Sequence, residues 1–479
     1  MKIPNFKLKI DRLTVLVSLF IFAASLYLFY QSLNYYFFQD DWFVLNMVKV
    51  NSFGDFAKLF FFRGDIVYWR PVGMQMFFFL SQKIFGLNPI FFHLISYTFL
   101  VVSLVLIFKL VRKLTSPQVA LIAAFLYAVS SFHYMTFGWL SLTWNFIGLF
   151  FFLSSTLIIM KCKTISEKKY LACFFLFLLS LASTEFALIF PLFIIFIFLF
   201  KSQNLTKGFH RIVTFVLQFI IVDLFYIVAR GFIFNTQTSA EYAFNLTPRN
   251  IIGNGIWYLL WFFNIPELFK SQTILTKFYL TENLARATSG LTFLIFFFLI
   301  IEVTLFIVIV ASNYKKLLIM SLGLLSFFIA LAPVIFLANH SYPYYLTIPS
   351  LFLLITIASA IEKISENGYF AKVLILTFLI FWFSSSYLST KITQKNHWIT
   401  QEATFSKMVA EQIVGMYPNL PKNSTIVISD VNYQLKQSLM DQNLAQVLYN
   451  DKTIRTIYES GSDYSIIQPN HFLLNINEK

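Results

Sequence analysis

Asp40 and Asp41 stand side by side in the run Phe37-Phe38-Gln39-Asp40-Asp41-Trp42-Phe43. Adjacent carboxylates in an aromatic setting are costly to desolvate, so the pair calls for a use or a partner. One carboxylate can act as a general base that takes a proton from a hydroxyl. Its neighbour can bind the molecule carrying that hydroxyl, or a divalent cation such as Mg²⁺ or Mn²⁺, which makes Asp41 the candidate metal ligand. The plain alternative is a solvated loop pair or a helix N-cap.

Other polar residues are sparse and therefore informative. Tyr68 and Arg70, in Tyr68-Trp69-Arg70-Pro71, place a guanidinium in an aromatic segment where it can meet a carboxylate or phosphate, or can snorkel to lipid headgroups. His93 and Glu185 fall near the ends of apolar runs, and Glu185 is almost surrounded by apolar sequence. Asp223 and Arg230 share one face of a long apolar segment. Lys270, Lys277 and Arg286 offer cations to an anionic ligand, although surface loops carry lysines in any case. His340, Tyr342, Tyr344 and Tyr345 cluster in Asn339-His340-Ser341-Tyr342-Pro343-Tyr344-Tyr345, suited either to stacking on a sugar or to an interfacial aromatic belt. No phosphate-binding glycine loop, zinc-protease helix or nucleophile elbow is present.

The elements that position these residues follow from composition. The 479-residue chain is 58% hydrophobic and 12% charged, against about 25% charged residues in an ordinary soluble domain. So few charges cannot cover a chain of this length in water, and lipid is the matching solvent. The net charge of +14 would suggest nucleic acid in a soluble protein; here it reads as basic cytoplasmic loops, with no nucleic-acid partner. Cys162 and Cys173 support neither a disulfide framework nor a metal cluster.

A bilayer span takes about 20 apolar residues. Eleven candidates occur at 13–31, 90–108, 118–134, 137–160, 170–183, 186–201, 212–233, 289–311, 317–338, 346–361 and 372–388. The fifth and sixth are divided at Ser183-Thr184-Glu185. With the N-terminus cytoplasmic, the inner loops hold 18 Lys and Arg, whereas the long outer loops 32–89 and 234–288 hold 9 over about twice the length. The expected architecture is therefore an all-α polytopic protein of the cell membrane with about eleven transmembrane helices over 1–388. A small C-terminal α/β domain over 389–479 would lie outside. Within it, 401–416 and 434–449 read as helices, and 424–429 and 453–457 as strands. The outer loops contain aromatic stretches that fit a roof along the lipid–water boundary, and Pro71 can open a helix there.

The ordered pieces resemble the GT-C glycosyltransferase superfamily. The branch most resembled contains protein O-mannosyltransferases, transmembrane tetratricopeptide mannosyltransferases and the aminoarabinose transferases of lipid A. Asp40-Asp41 stands at that family's acidic pair, and Tyr68 to Val72 resembles its Y-R-P-[LV] stretch. Phe85-Gly86-Leu87-Asn88-Pro89 with Phe92-His93 resembles F-G-x-N-P…x-H. Ser183-Thr184-Glu185 resembles S-K-E, and Tyr345 to Ser350 resembles R-Y-L-Y-L-P-S. The likeness covers roughly 10–390. Thr184 replaces a lysine, and Tyr344 stands where an arginine is common.

The resemblance implies inverting transfer of a sugar from a polyprenyl-phosphate donor to an acceptor hydroxyl on the outer face. Asp40 would be the base. Asp41 would support it or hold a divalent cation, and Tyr68, Arg70, His93, Glu185, Lys270, Arg286, His340 and Tyr345 would bind substrate. The acceptor, whether protein, lipid or glycan, is left open. A transporter or flippase would instead place charges at the midplane of repeated halves, and no repeat is visible. A surface-glycan polymerase would place its key residues in later outer loops.

Overall fold

The computed structural model describes residues 12–63, 66, 68–162, 164–201, 205–233, 242–274, 279–280, 288, 290–311, 317–365, 368–429, 433–459 and 470–475. Lys277 and Arg286 lie outside the described residues.

The chain is a helical membrane protein. Each of the eleven expected segments is helical over most of its length. Among the described residues, six helices are long and apolar enough to cross a bilayer: Arg12–Asn34, Pro89–Val111, Leu140–Ile159, Val213–Phe232, Thr292–Ile309 and Tyr369–Asn396. The others, such as Pro117–Ala128 and Ser350–Ile364, run 12 to 15 residues. Helix Lys168–Leu181 ends just before Ser183, and a 3₁₀ turn Glu185–Ile189 opens the next helix, so the chain does break where the sequence suggested. Fully buried Trp144, Trp261 and Trp382 fill the shared core with phenylalanines from most of the helices.

The first long loop, over 32–89, contains several short helices. Asp40–Met47 carries the acidic pair, Phe53–Lys58 follows, and a π-helical turn Pro71–Met76 runs into Phe77–Phe85. Pro71 opens that turn, as its fixed φ and missing N–H favour. Gly86, at φ 62, ends Phe77–Phe85, and the Asn88 side chain accepts from the Ile90 N–H to start Pro89–Val111. The Phe-Gly-Leu-Asn-Pro stretch is thus a stop and a start placed three residues apart.

The tail differs from expectation in three ways. Helix Tyr369–Asn396 continues past residue 388, and Trp398–Met416 begins almost at once. The expected helix 434–449 is two helices, Tyr433–Leu439 and Asn443–Leu448, because Met440 and Asp441 take left-handed φ values of 50 and 53. A third strand, His471–Asn475, completes a parallel sheet in which Thr425–Ser429 is central between it and Arg455–Glu459. The central strand is buried throughout, which matches its unbroken Ile-Val-Ile run.

Candidate functional site

The two aspartates have different surroundings. Asp41 is fully buried. Its Oδ1 accepts from the Ser141 N–H at 2.7 Å and the Ser141 hydroxyl at 2.5 Å, and its Oδ2 accepts from the Phe38 N–H at 3.3 Å. Burial pushes its pKa up to about 8 against the pull of those donors. Asp41 therefore bolts the acidic-pair helix to the 3₁₀ turn Leu140–Leu142. Asp40 is only half-buried and opens the same helix. Gln39, just before it, is a non-glycine residue at φ 46 and ψ −126, the kind of strained backbone that clusters at functional sites.

Both Asp41 oxygens accept hydrogen bonds from the protein. Among the described residues no group of three or more His, Cys, Asp or Glu gathers as a metal site.

Arg70 and Glu185 form the second part. Gly73 makes their meeting possible: a Cβ there would lie 2.8 Å from the Ser183 carbonyl oxygen and 2.8 Å from the Trp144 Cβ. With no side chain at 73, the Val72 N–H reaches the Ala182 carbonyl at 2.9 Å, and the two loops lie together. Arg70 Nη2 then stands 3.0 Å from Glu185 Oε2, and Nε contacts both carboxylate oxygens. The guanidinium carbon lies 3.7 Å from the Trp144 ring centre and 4.8 Å from that of Tyr68. Burial alone would lower the Arg70 pKa, but the Glu185 charge, then Tyr345, holds it above its ordinary value. Burial raises the Tyr68 pKa, and the Asp40 charge raises it next.

Aromatic residues continue this site. Tyr345 packs 4.3 Å from Tyr344, whose hydroxyl is 3.2 Å from His340 Nε2, and Tyr242 lies 4.5 Å from the His340 ring. Burial, with help from Arg70 and Lys270, pulls the His340 pKa down to about 4, so its imidazole is neutral near pH 7. Beyond His340, Lys270 bonds to the Ser341 hydroxyl and, at 3.3 Å, to Asn254. It borders a cleft of about 320 Å³ lined by Thr247, Arg249, Asn254 and Trp257 among others. Burial lowers the Lys270 pKa to about 8.

The structure thus draws Tyr68, Arg70, Glu185, His340 and Tyr345 together, with the Asp40 charge acting on Tyr68 and Lys270 bonded beside His340. His93 has a different task. It is 1% exposed, and its Nε2 lies 3.0 Å from the Tyr35 carbonyl, supporting the segment that leads to Asp40. Trp144, Ser141 and Tyr242 were not singled out by sequence reasoning. The first two are hidden in an apolar run that reads as an ordinary span, and no local signal separates them. Glu402, near Gln39 and raised to about 7 by burial, was also unmarked.

No family model matches the sequence, and no curated protein is similar to it. Among solved structures, two crystal structures of the Archaeoglobus fulgidus oligosaccharyltransferase are similar. One is tethered by a disulfide to an acceptor peptide containing the NVT sequon, at 14% identity and TM-score 0.44, covering 88% of this chain and 63% of that one. The other is a complex with Zn and sulfate, at 13% identity and TM-score 0.46, covering 92% and 62%. This chain spans less than two thirds of the length of that protein.

Proposed function

We propose that this chain is a membrane glycosyltransferase of the GT-C type that moves a sugar from a polyprenyl-phosphate donor to an acceptor hydroxyl on the extracytoplasmic face. The observation that carries this reading is the arrangement around Tyr68: a half-buried aspartate at a helix start, an aromatic-lined Arg70–Glu185 pair, and a cationic cleft beyond His340. A charged leaving group anchored in lipid needs cations near the interface, and an acceptor arriving from water needs an accessible base.

In the proposed reaction Asp40 takes the proton of the acceptor hydroxyl as its oxygen attacks the anomeric carbon. The bond from that carbon to the phosphate oxygen breaks, its electron pair leaves on the phosphate, and the configuration inverts. Arg70 steadies the sugar-phosphate junction while Glu185 and the Trp144 ring fix its plane. Lys270 and Arg249 balance the charge left on the phosphate. The aromatic rings of Tyr68 and Tyr345 stack on the sugar. No step is routed through a metal. The basic loops support a cytoplasmic N-terminus and a tail outside.

The test is sugar transfer, or hydrolysis of a polyprenyl-phosphate sugar, by purified protein in nanodiscs. Wild type should turn over a matching donor and folded Asp40→Asn should not. If both Asp40→Asn and Asp41→Asn bind donors and carry them across vesicle membranes as wild type does, the protein is a transporter.

A further inference from the structure

The segment 35–49 carries the acidic pair, and it is gripped along its length by residues of the tail. The Tyr35 hydroxyl lies 3.0 Å from that of Thr400. Ser406 donates to the Phe37 carbonyl at 2.7 Å and accepts from the Trp42 indole N–H at 2.8 Å. The Gln39 N–H donates to the Ser438 carbonyl at 2.8 Å. Asn46 donates to Asn443 at 2.9 Å and to Gln446 at 2.7 Å, and the Lys49 ammonium donates to the Gln446 carbonyl at 2.7 Å.

Asp40 sits at the centre of this grip. The strained Gln39 backbone beside it persists only if its surroundings hold it, and the Ser438 carbonyl takes its N–H. Gln446 ties the grip to the tail's own sheet, since its amide donates to the carbonyls of Lys452 and Ile454 at 3.0 Å each. Beneath the polar bonds, Trp42, Val44 and Leu45 share one apolar core with Val409, Ile413, Leu444 and Val447. The tail face that meets this segment is consumed by these contacts, which favours a bracing role over an acceptor-binding one.

We infer that the tail is a positioning domain: through Ser406, Ser438 and Gln446 it fixes the acidic-pair helix so that the Asp40 carboxylate is held against the acceptor hydroxyl. This rests on the reading of Asp40 as the general base. A displacement of the order of 1 Å at a reacting group can cost about 10²-fold in rate, so a loosened grip acts on the chemical step rather than on binding.

The experiment compares full-length wild type, Asn46→Ala, Ser406→Ala and Asp40→Asn in nanodiscs. It reads thermal midpoint, hydrogen exchange of 37–49, kcat and KM for donor and acceptor, and the pH profile of kcat. Asn46 is half-buried at the rim, so its truncation removes two hydrogen bonds without opening the core. The expected result for both grip variants is retained folding, faster exchange over 37–49, unchanged KM values, kcat lower by about 10- to 100-fold, and a shifted acid limb of the pH profile. A purely structural role would reduce the active fraction and leave the pH profile in place. Faster exchange with wild-type kcat and pH profile overturns the inference. So does a raised acceptor KM at constant kcat, which would make the tail an acceptor module. Full turnover by Asp40→Asn overturns the base reading itself, and it is seen independently of the grip variants.

Discussion

Arg70 and Glu185, 115 residues apart in the chain, are joined by a guanidinium–carboxylate pair with Nη2 3.0 Å from Oε2 and Nε within reach of both oxygens. Both side chains are largely buried, at 13% and 8% exposure. Removing one partner leaves the other charge buried and unpaired, which costs about 3–5 kcal/mol. Arg70→Ala and Glu185→Ala should each lower the thermal midpoint in detergent and abolish transfer. The double variant Arg70→Met/Glu185→Leu should regain much of the midpoint while staying inactive. Recovery of activity in the double variant would show that the pair serves the fold alone.

The two aspartates should separate by assay. Asp40→Asn should keep its thermal midpoint and lose about 10²- to 10⁴-fold in rate. Asp41→Asn should lose stability first, because an amide nitrogen would face the Phe38 or Ser141 donors. Asp41 also gives a pH signature. Its folded pKa, near 8, lies above the ordinary 3.8, so the folded state holds a proton that the unfolded chain gives up. Its contribution to stability is complete below 3.8 and is lost as pH rises through about 8. The difference in midpoint between wild type and Asp41→Asn, followed from pH 4 to 9, should narrow with rising pH.

Lys270 should govern how tightly the donor is held. Burial lowers its pKa to about 8, opposed by the Glu267 charge. A phosphate needs the protonated ammonium, so donor KM should rise as pH increases through about 8, and Lys270→Met should remove that limb. The linkage to folding runs the other way. The folded state prefers the neutral amine, so this group's contribution is present above 10.5 and is lost as pH falls through about 8. Lys270→Met should therefore raise the thermal midpoint at pH 7. A donor KM that does not change between pH 7 and 9 would remove Lys270 from the phosphate site.

Thr184, where the resembled family has lysine, has a local reason. It is fully buried, its hydroxyl accepts from the Phe186 N–H at 3.2 Å, and its methyl packs where a Gly148 side chain would otherwise stand. Thr184→Lys should lose the cap, worth about 1 kcal/mol, and bury an added cation, so the thermal midpoint should fall and transfer should not improve. A gain in activity would mean that a lysine at this position can reach the phosphate.

What the sequence made legible was set by local chemistry. Apolar length marked eleven segments, each of which is helical over most of its described length, and Pro71 marked the start of Pro71–Met76. The rarity of charge in apolar sequence marked Arg70 and Glu185, which then proved to be partners. Asp40 and Asp41 could not be told apart, because what separates them is Ser141, a hundred residues away. Trp144 was invisible for the same reason: an aromatic residue in an apolar run looks like packing until a guanidinium is found on it. The tail's split helix turned on Met440 and Asp441; aspartate visits left-handed backbone more readily than most residues, but methionine does not, and the run around them reads as one helix.

The grip on segment 35–49 also sets an order of assembly. Trp42 meets Ser406 across 364 residues, and Asn46 meets Gln446 across 400. A growing chain inserts its early helices long before those partners exist, so the helix bearing Asp40 waits without its brace through nearly all of synthesis. Chemistry at the acidic pair should therefore switch on only when the tail has been made and has packed against that segment. Half-made chains would be inert, and a ribosome that stalls before residue 400 would leave a well-inserted protein with no reach toward any hydroxyl.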